Sequence, residues 1–243
     1  MAITTILFDV GNTLRIVEKD PIFAAQAEKD LMELVGTTMS HDEFFEMLEA
    51  NWQKYRKLSK KTLLDYSEAE LWAKFMLPDC DKNMIYKNSA RLTRLWRDHD
   101  GRRVARPDVK PTVQELCRRG YKLGIIANTV TETEIPDWMV ADGVCEYFDI
   151  VLLSSKVRLR KPDPEIYLLA CKLLGVDPEN CAYIGDNPSR DVEGAVKAGY
   201  GDMVVISSDT KEKAPEGCLF RAGHFINELS ELLDIYPGVL SEG

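Results

Sequence analysis

The sequence predicts an α/β fold, a doubly wound parallel sheet into which an all-helical segment is inserted. Three observations predict it. Short apolar strands alternate with amphipathic helices from Pro107 onward, the signature of a parallel sheet covered on both faces. A lone apolar strand, Thr4 to Phe8, stands far upstream with no crossover helix of its own. Between them, residues 17–103 carry only helical periodicity. Residues 1–16 and 104–243 are therefore expected to form one core, and residues 17–103 a separate helical unit.

The first strand halts on Asp9 and passes at once through Gly11, Asn12 and Thr13. Such a loop suits either a turn opened by an acid or a carboxylate held for chemistry. In the insert, Asp20 with Pro21 marks a helix start, Phe23, Ala27, Leu31 and Leu34 recur at steps of three or four, and Gly36 closes the helix. Ser40 and Glu43 form a capping box for a second helix with Phe44, Leu48 and Trp52 on one side. Ser67 with Glu70 opens a third before LWAKFML, and Met84 to Trp96 supplies a fourth. Trp52, Trp72 and Trp96 recur on these amphipathic faces and read as packing residues. Beyond Pro107, PTVQELCRRG is a helix closed by Gly120, KLGIIA and FDIVLL are strands, DPEIYLLACKLLG is a helix, CAYIG a strand, DVEGAVKAG a helix and MVVIS a strand. HFINELSELLDIY is expected to be a final docking helix.

Composition narrows the function. The 243 residues are 45% hydrophobic, enough for an ordinary buried interior. A formal net charge of -9 and a pI near 5.0 argue against a broad polyanion-binding face, so nucleic acid is not an expected partner, although one local basic pocket is compatible with them. No run approaches about 18 apolar residues, and no basic stretch precedes an apolar one at the N-terminus, so neither a membrane span nor a leader is expected. The cysteines at 80, 117, 145, 171, 181 and 218 include no CxxC pair and read as core thiols of a reducing compartment. A cytoplasmic protein is the expectation; oligomeric state is not readable.

In open α/β sheets, ligands bind beyond the carboxyl ends of the strands, so the residues that follow each strand are the candidates. They are Asp9 after the first strand, Ala127, Asn128 and Thr129 after KLGII, Lys161 in RLRKPDP, and Asp186 and Asp191 in GDNPSRD after CAYI. Three carboxylates, a lysine and small polar groups would meet at one rim. That set suits phosphoryl transfer: a hard cation such as Mg²⁺ takes oxygen ligands, Lys161 offsets phosphate or carboxylate charge, and a carboxylate can be the nucleophile. Asp9 is best placed, held by a strand end and followed by small residues whose backbone N–H groups can face an anion. Singly, each residue has a structural reading: Asp9 and Asp186 as turn residues, Lys161 as a surface lysine ahead of a helix capped by Asp163, and Asp191 as an acid at a helix N-terminus. Thr13 and Asn128 can bond within loops, and Arg15 reads as an exposed side chain. One site accounts for the acids and the lysine together.

FDVGNTL, IIANT, RKPDPEIY and IGDNPSRDVEGAVKAG, in this order, resemble the four motifs of the haloacid dehalogenase superfamily phosphatases. The resemblance covers the first strand and nearly all of residues 104–206, and the third and fourth motifs are specific in combination. It implies a Rossmann-like doubly wound core with an inserted helical cap, which is where the helical segment falls. Carried over, it makes Asp9 the nucleophile, Lys161 the group that steadies Asp9 and the transferring phosphoryl, Asp186 a Mg²⁺ ligand, and Asp191 a further ligand or an orienter of the metal's waters. The Gly11 carbonyl would face the metal, and Asn12, Asn128 and Thr129 are the candidates for binding phosphoryl oxygens. The implied partner is a small phosphorylated metabolite.

Two positions depart from the motifs. Gly11 stands where the phosphatases carry a second aspartate, the general acid for the leaving group and base for the hydrolytic water; Ala127 stands where they carry a Ser or Thr hydroxyl. Loss of a general acid typically costs about 10²–10⁴ in rate, and loss of one oxyanion donor roughly 10²–10³. A slow phosphatase is expected, least impaired on acyl or aryl phosphates. Two alternatives stand beside it, a 2-haloacid dehalogenase in which Asp9 attacks carbon without metal, and a non-catalytic binding protein. The acidic pair of GDNPSRD, suited to a cation, weighs against the dehalogenase.

Overall fold

In the computed structural model, which describes residues 2–206 and 223–239, the apolar run after Thr4 forms β1 (Thr5–Phe8), the strand that joins the two halves of the sheet. All four of its side chains are buried, as they must be in a strand covered on both faces. Ile6 and Phe8 enter one apolar core and Leu7 the other.

After the loop that follows Asp9, β2 (Arg15–Glu18) pairs antiparallel with β3 (Arg102–Ala105). This ribbon has no signature in the sequence, since each strand holds four residues and only one face is packed. It straddles the boundaries expected after residue 16 and before residue 104. Between its strands lie α1 (Pro21–Val35), α2 (His41–Thr62), α3 (Glu68–Leu71) and α4 (Lys82–Asp98). Asp20 accepts from the Phe23 amide and Gly36 ends α1 in the left-handed conformation, while Ser40 and Glu43 close the capping box on α2. α3 widens into a π-type turn over Trp72–Met76. Leu31, Phe44, Leu48, Trp72, Leu92 and Trp96 then share one apolar cluster, with Trp52 at its edge and Val130 reaching it from the sheet side.

The rest of the described chain builds the sheet. α5 (Val109–Arg118) leads to β4 (Lys122–Ala127), and α6 (Glu134–Ala141) to β5 (Ile150–Leu153). α7 (Ser154–Val157) and α8 (Pro164–Leu174) precede β6 (Cys181–Gly185), and α9 (Glu193–Ala198) precedes β7 (Asp202–Ile206). With β8 (His224–Ile226), the strands run parallel in the order β5-β4-β1-β6-β7-β8. α5 and α6 cover one face and α8 and α9 the other. Because the chain goes from β1 to β4 on one side and later to β6 on the other, the strand order reverses at β1, and a crevice opens at its carboxyl end.

Three expectations need correction. HFINELSELLDIY is not one helix: HFI is β8, and only α10 (Leu232–Ile235) is α-helical, because the strand hydrogen-bonds to β7 and leaves its Phe225 side chain partly exposed. α6 was not foreseen, since Pro136 interrupts its pattern; the proline sits in the first turn, where no helical N–H is lost. Nor are the cysteines uniformly core thiols. Cys171 and Cys181 are buried, Cys80 is partly buried, and Cys117 and Cys145 are exposed; Cys218 lies outside the described residues. Among the described residues no helix is long and apolar enough to cross a membrane.

The seam between the helical insert and the sheet is largely polar. Asp65, buried after α2, accepts from Tyr55 Oη at 3.0 Å, Ser154 Oγ at 2.6 Å and Arg160 Nη1 at 2.9 Å. Glu68 accepts from Thr131 Oγ1 at 2.9 Å and from the Glu132 amide at 2.7 Å. From the other side Glu134 bonds Arg15 Nη1 at 2.8 Å and Arg97 Nε, with Arg103 Nε 4.0 Å away. Burial pushes the Glu134 carboxyl up, but Arg97, Arg103 and Arg15 outweigh it and bring it down from 4.5 to about 2.

A depressed carboxylate stabilises the fold above its unfolded pKa, and that contribution is lost as pH falls through the folded one. Glu134→Gln, which strips three guanidinium groups of their carboxylate, is expected to lower the unfolding free energy by about 3–5 kcal/mol at neutral pH, read from urea midpoints. The gap from the parent protein should narrow between about pH 4.5 and about pH 2.

Candidate active site

Asp9 leaves the end of β1 with its amide bonded to the Ile184 carbonyl of β6 at 2.9 Å, so its backbone is fixed by a neighbouring strand. The loop then closes on itself: Val10 O accepts from the Leu14 and Arg15 amides at 2.9 Å each, and Arg15 O accepts from the Asn12 amide at 2.7 Å. Asn12 takes a left-handed φ of 56°, which asparagine tolerates, and its Nδ2 reaches Asp186 Oδ2 at 3.1 Å. The Thr13 hydroxyl is buried and has no hydrogen-bond partner among the described residues.

Lys161 is only 1% exposed. Its Nζ lies 2.7 Å from Asp9 Oδ1, 2.8 Å from Asp191 Oδ1 and 2.6 Å from Tyr183 Oη, and the Tyr183 hydroxyl donates onward to the Ile126 carbonyl at 2.8 Å. An ammonium has three donors and no acceptor, so these three oxygens account for all of them. The surface reading of Lys161 is therefore wrong. Its backbone is clamped by Asn128, which donates from Nδ2 to Lys161 O and accepts at Oδ1 from Lys161 N, both at 2.9 Å. Asn128, a candidate for binding phosphoryl oxygens, thus has its side-chain amide engaged in positioning the lysine. Thr129 is also turned inward: its amide bonds Ser154 Oγ at 2.9 Å and its hydroxyl accepts from the Thr131 amide at 3.2 Å.

Asp186 and Asp191 follow β6. One carboxylate oxygen from each of Asp9, Asp186 and Asp191 lies within 4.8 Å of the others, a grouping that could bind a metal ion. Gly185 makes this approach possible, because a Cβ there would stand 2.6 Å from the Asp191 carboxyl group. The wide helical turn over Pro188–Val192 brings Arg190 back over the strand end, where Nη2 sits 2.7 Å from Asp186, 3.1 Å from Asp191 and 3.2 Å from Asp9. Sequence reasoning missed Arg190; its one signal was the spacing of four residues from Asp186, which places the two side chains together on a helical turn. Burial raises the Asp186 carboxyl, with Arg190 opposing. At Asp191 burial acts the same way, but Lys161 and Arg190 outweigh it and hold the group below the usual range.

The family model for haloacid dehalogenase-like hydrolases matches residues 3–199. The chain belongs to that family. This hydrolase is 30% identical over 131 residues to a glyceraldehyde 3-phosphate phosphatase of Methanopyrus kandleri, covering 53% of this chain and 55% of the relative. It is 38% identical over 110 residues to a phosphoserine phosphatase of Thermus thermophilus, covering 45% and 43%. The matched stretches span about half the length of these two relatives. A glyceraldehyde 3-phosphate phosphatase of Methanothermobacter thermautotrophicus matches at 25% identity over 215 residues, covering 85% of this chain and 87% of the relative. Among solved structures, a HAD phosphatase from Thermococcus onnurineus superposes with a TM-score of 0.61 at 26% identity, over 96% of this chain and 97% of that one. A 2-haloacid dehalogenase from Pseudomonas syringae gives 0.69 at 21% identity over the same shares, a likeness of fold.

Within the hydrolase's site, the two departures differ in character. Among the described residues nothing lies within 4 Å of a Cβ built on Gly11, so none of them demands glycine there on steric grounds. Ala127, by contrast, is buried at the end of β4. Arg15 is not the exposed side chain expected but is 9% exposed and paired with Glu134.

The cluster sets three carboxylates against two cations, so its charge balance can be tested through stability. Lys161→Met is expected to lower the urea midpoint of the hydrolase in chelator, since two buried carboxylates lose their partner, with a cost of about 3–5 kcal/mol. Asp186→Asn should act in the opposite direction and raise stability, because a carboxyl raised by burial destabilises the fold once ionised. Two midpoints shifted the same way would refute this charge accounting.

Proposed function

We propose that this hydrolase is a Mg²⁺-dependent phosphatase of small phosphorylated metabolites that works through a phosphorylated Asp9. The observation that carries the reading is the contact of Asp9 with a fully buried lysine, beside two further acids at the same strand ends. The names of the relatives, phosphatases of glyceraldehyde 3-phosphate and of phosphoserine, support it.

The donor set fits a hard divalent cation: three carboxylates, all oxygen, within 4.8 Å, with the Gly11 carbonyl a further candidate ligand on the family pattern. Mg²⁺ held by Asp9, Asp186 and Asp191 would neutralise charge on the transferring phosphoryl group. Among the chain's own groups, Asp9 attacks phosphorus as the ester oxygen departs with the bonding pair. Lys161 fixes Asp9 Oδ1 and brings positive charge to the forming bond. No side chain at position 11 protonates the departing oxygen or draws a proton from the water that later cleaves the acyl phosphate. Leaving groups that depart unprotonated, such as aryl and acyl phosphates, are therefore favoured. Metal-independent attack of Asp9 on a 2-haloacid is the second reading, motivated by Gly11; chloride release in chelator would establish it.

Phosphate release from an aryl phosphate is expected to require Mg²⁺ and to fall about 10³-fold or more in Asp9→Asn. Undiminished release by that variant would sink the mechanism. Gly11→Asp, which has open space to enter, should raise turnover of alkyl phosphates by about 10²–10⁴ and of aryl phosphates by less. Arg190 and a divalent cation call on the same three carboxylates, so Arg190→Met is expected to tighten Mg²⁺ binding about tenfold by calorimetry without substrate.

A further inference from the structure

The cleft beside Asp9 carries more positive charge than a transferring phosphoryl group calls for. Its volume is about 240 Å³, and its lining includes Gly11 and Asn12 of the loop that follows Asp9, Asn128 at the end of β4, and Arg15, Arg97 and Arg103. Among the described residues, three guanidinium side chains line it and no carboxylate does. Their shared counter-ion, Glu134, stands behind the wall and is 2% exposed. Asp100 lies 3.3 Å from Arg103 Nη2, but its side chain is more than half exposed at the rim. The crowding is visible in two groups. Arg103, desolvated and next to Arg97, is pushed down to about 10, and Arg15 Nε is buried without a hydrogen-bond partner among the described residues. Glu134, Asp98 and Asp100 act on these guanidinium groups without lining the cleft, so the cations facing it are drawn out of water with no carboxylate on their open side.

We infer that Arg97 and Arg103 bind a second anionic group on the substrate, a carboxylate or a second phosphate, in the cleft that they share with the loop after Asp9. The inference rests on the phosphatase reading for what lies at Asp9. A guanidinium fork matches either anion with two parallel hydrogen bonds. Arg15 is tied to Glu134 and, at 2.9 Å, to the Arg103 carbonyl, so it is a positioning residue that braces the wall. The volume lies below the roughly 300–1,000 Å³ of sites for drug-sized ligands, which restricts the linker between the two anions to a few carbon atoms. The substrate class is thus a short phosphorylated acid or a short bisphosphate.

The test uses the full chain bearing Asp9→Asn, with Mg²⁺, and calorimetry with three ligands that differ only at the far end: glycerol 3-phosphate, 3-phosphoglycerate and glycerol 1,3-bisphosphate. At least one doubly anionic ligand is expected to bind about 10- to 100-fold tighter than glycerol 3-phosphate, and the better of the two identifies the second anion. Adding Arg103→Gln or Arg97→Met should reduce that gain to about threefold or less. Equal affinity for all three ligands overturns the inference, as does a gain that survives both substitutions. Arg97→Met leaves Glu134 with Arg15 alone as a close partner; should it fail to fold, Arg103→Gln carries the test, since its nearest carboxylate is the exposed Asp100. Turnover separates this inference from the reading beneath it. An anion preference in a protein that releases phosphate from no ester refutes the phosphatase reading alone, whereas phosphate release without the preference refutes the cleft inference alone.

Discussion

A buried ammonium has to be met by acceptors on every side, and Lys161 imposes that requirement on three strand ends at once. β1 supplies Asp9, β6 supplies Tyr183 and, just beyond it, Asp191, and β4 supplies Asn128 for the backbone and the Ile126 carbonyl for the tyrosine hydroxyl. Each is placed by the parallel register of neighbouring strands, so a slip of one residue in β1 would turn Asp9 to the opposite face and leave the ammonium unpaired. Gly185 then follows as a necessity, because Asp191 can approach the lysine only past a residue with no side chain.

Much of this was legible in the sequence, for reasons that differ residue by residue. Asp9, Lys161, Asp186 and Asp191 each follow an apolar strand, and strand ends in a parallel sheet are brought together by topology alone. The caps at Asp20, Ser40 and Gly36 are local chemistry, read within four residues. What escaped depends on contacts distant in the chain. The ribbon pairs residues more than eighty positions apart over four-residue strands, and HFI becomes a strand only because the edge of β7 is there to receive it. Arg190 looked like any charged residue on a turn, and the anion-facing role of Arg97 and Arg103 has no linear pattern. Asn128 left two readings open for a related reason: an amide beside a strand end can serve a ligand or another loop, and here it bonds the Lys161 backbone.

The site divides its charges by location. At the strand ends acids outnumber bases, which suits a metal ion; along the wall formed by Arg15, Arg97 and Arg103 the bases outnumber the acids, which suits an anion. A chain with a net charge of -9 therefore contains a strongly basic cleft, because net charge constrains broad surfaces and not a pocket of this size. Phosphoryl chemistry uses both signs, and the Asp9 loop lies where they meet.

The seam that carries Asp65, Glu68 and Glu134 has a consequence for how the cleft is filled and emptied. Carboxylates, hydroxyls and guanidinium groups join the helical insert to the sheet, with Val130 as the sheet-side member of the insert's apolar cluster. An apolar seam, once parted, would hold exposed hydrocarbon against water at about 25 cal/mol for each Å². A polar seam is wettable: each carboxylate that loses a guanidinium gains water, and the net loss per hydrogen bond to a charged group is about 1.5–3 kcal/mol. Parting of the two layers would then be governed by hydration and sensitive to salt, and among the described residues only Val130 would leave the insert's apolar cluster.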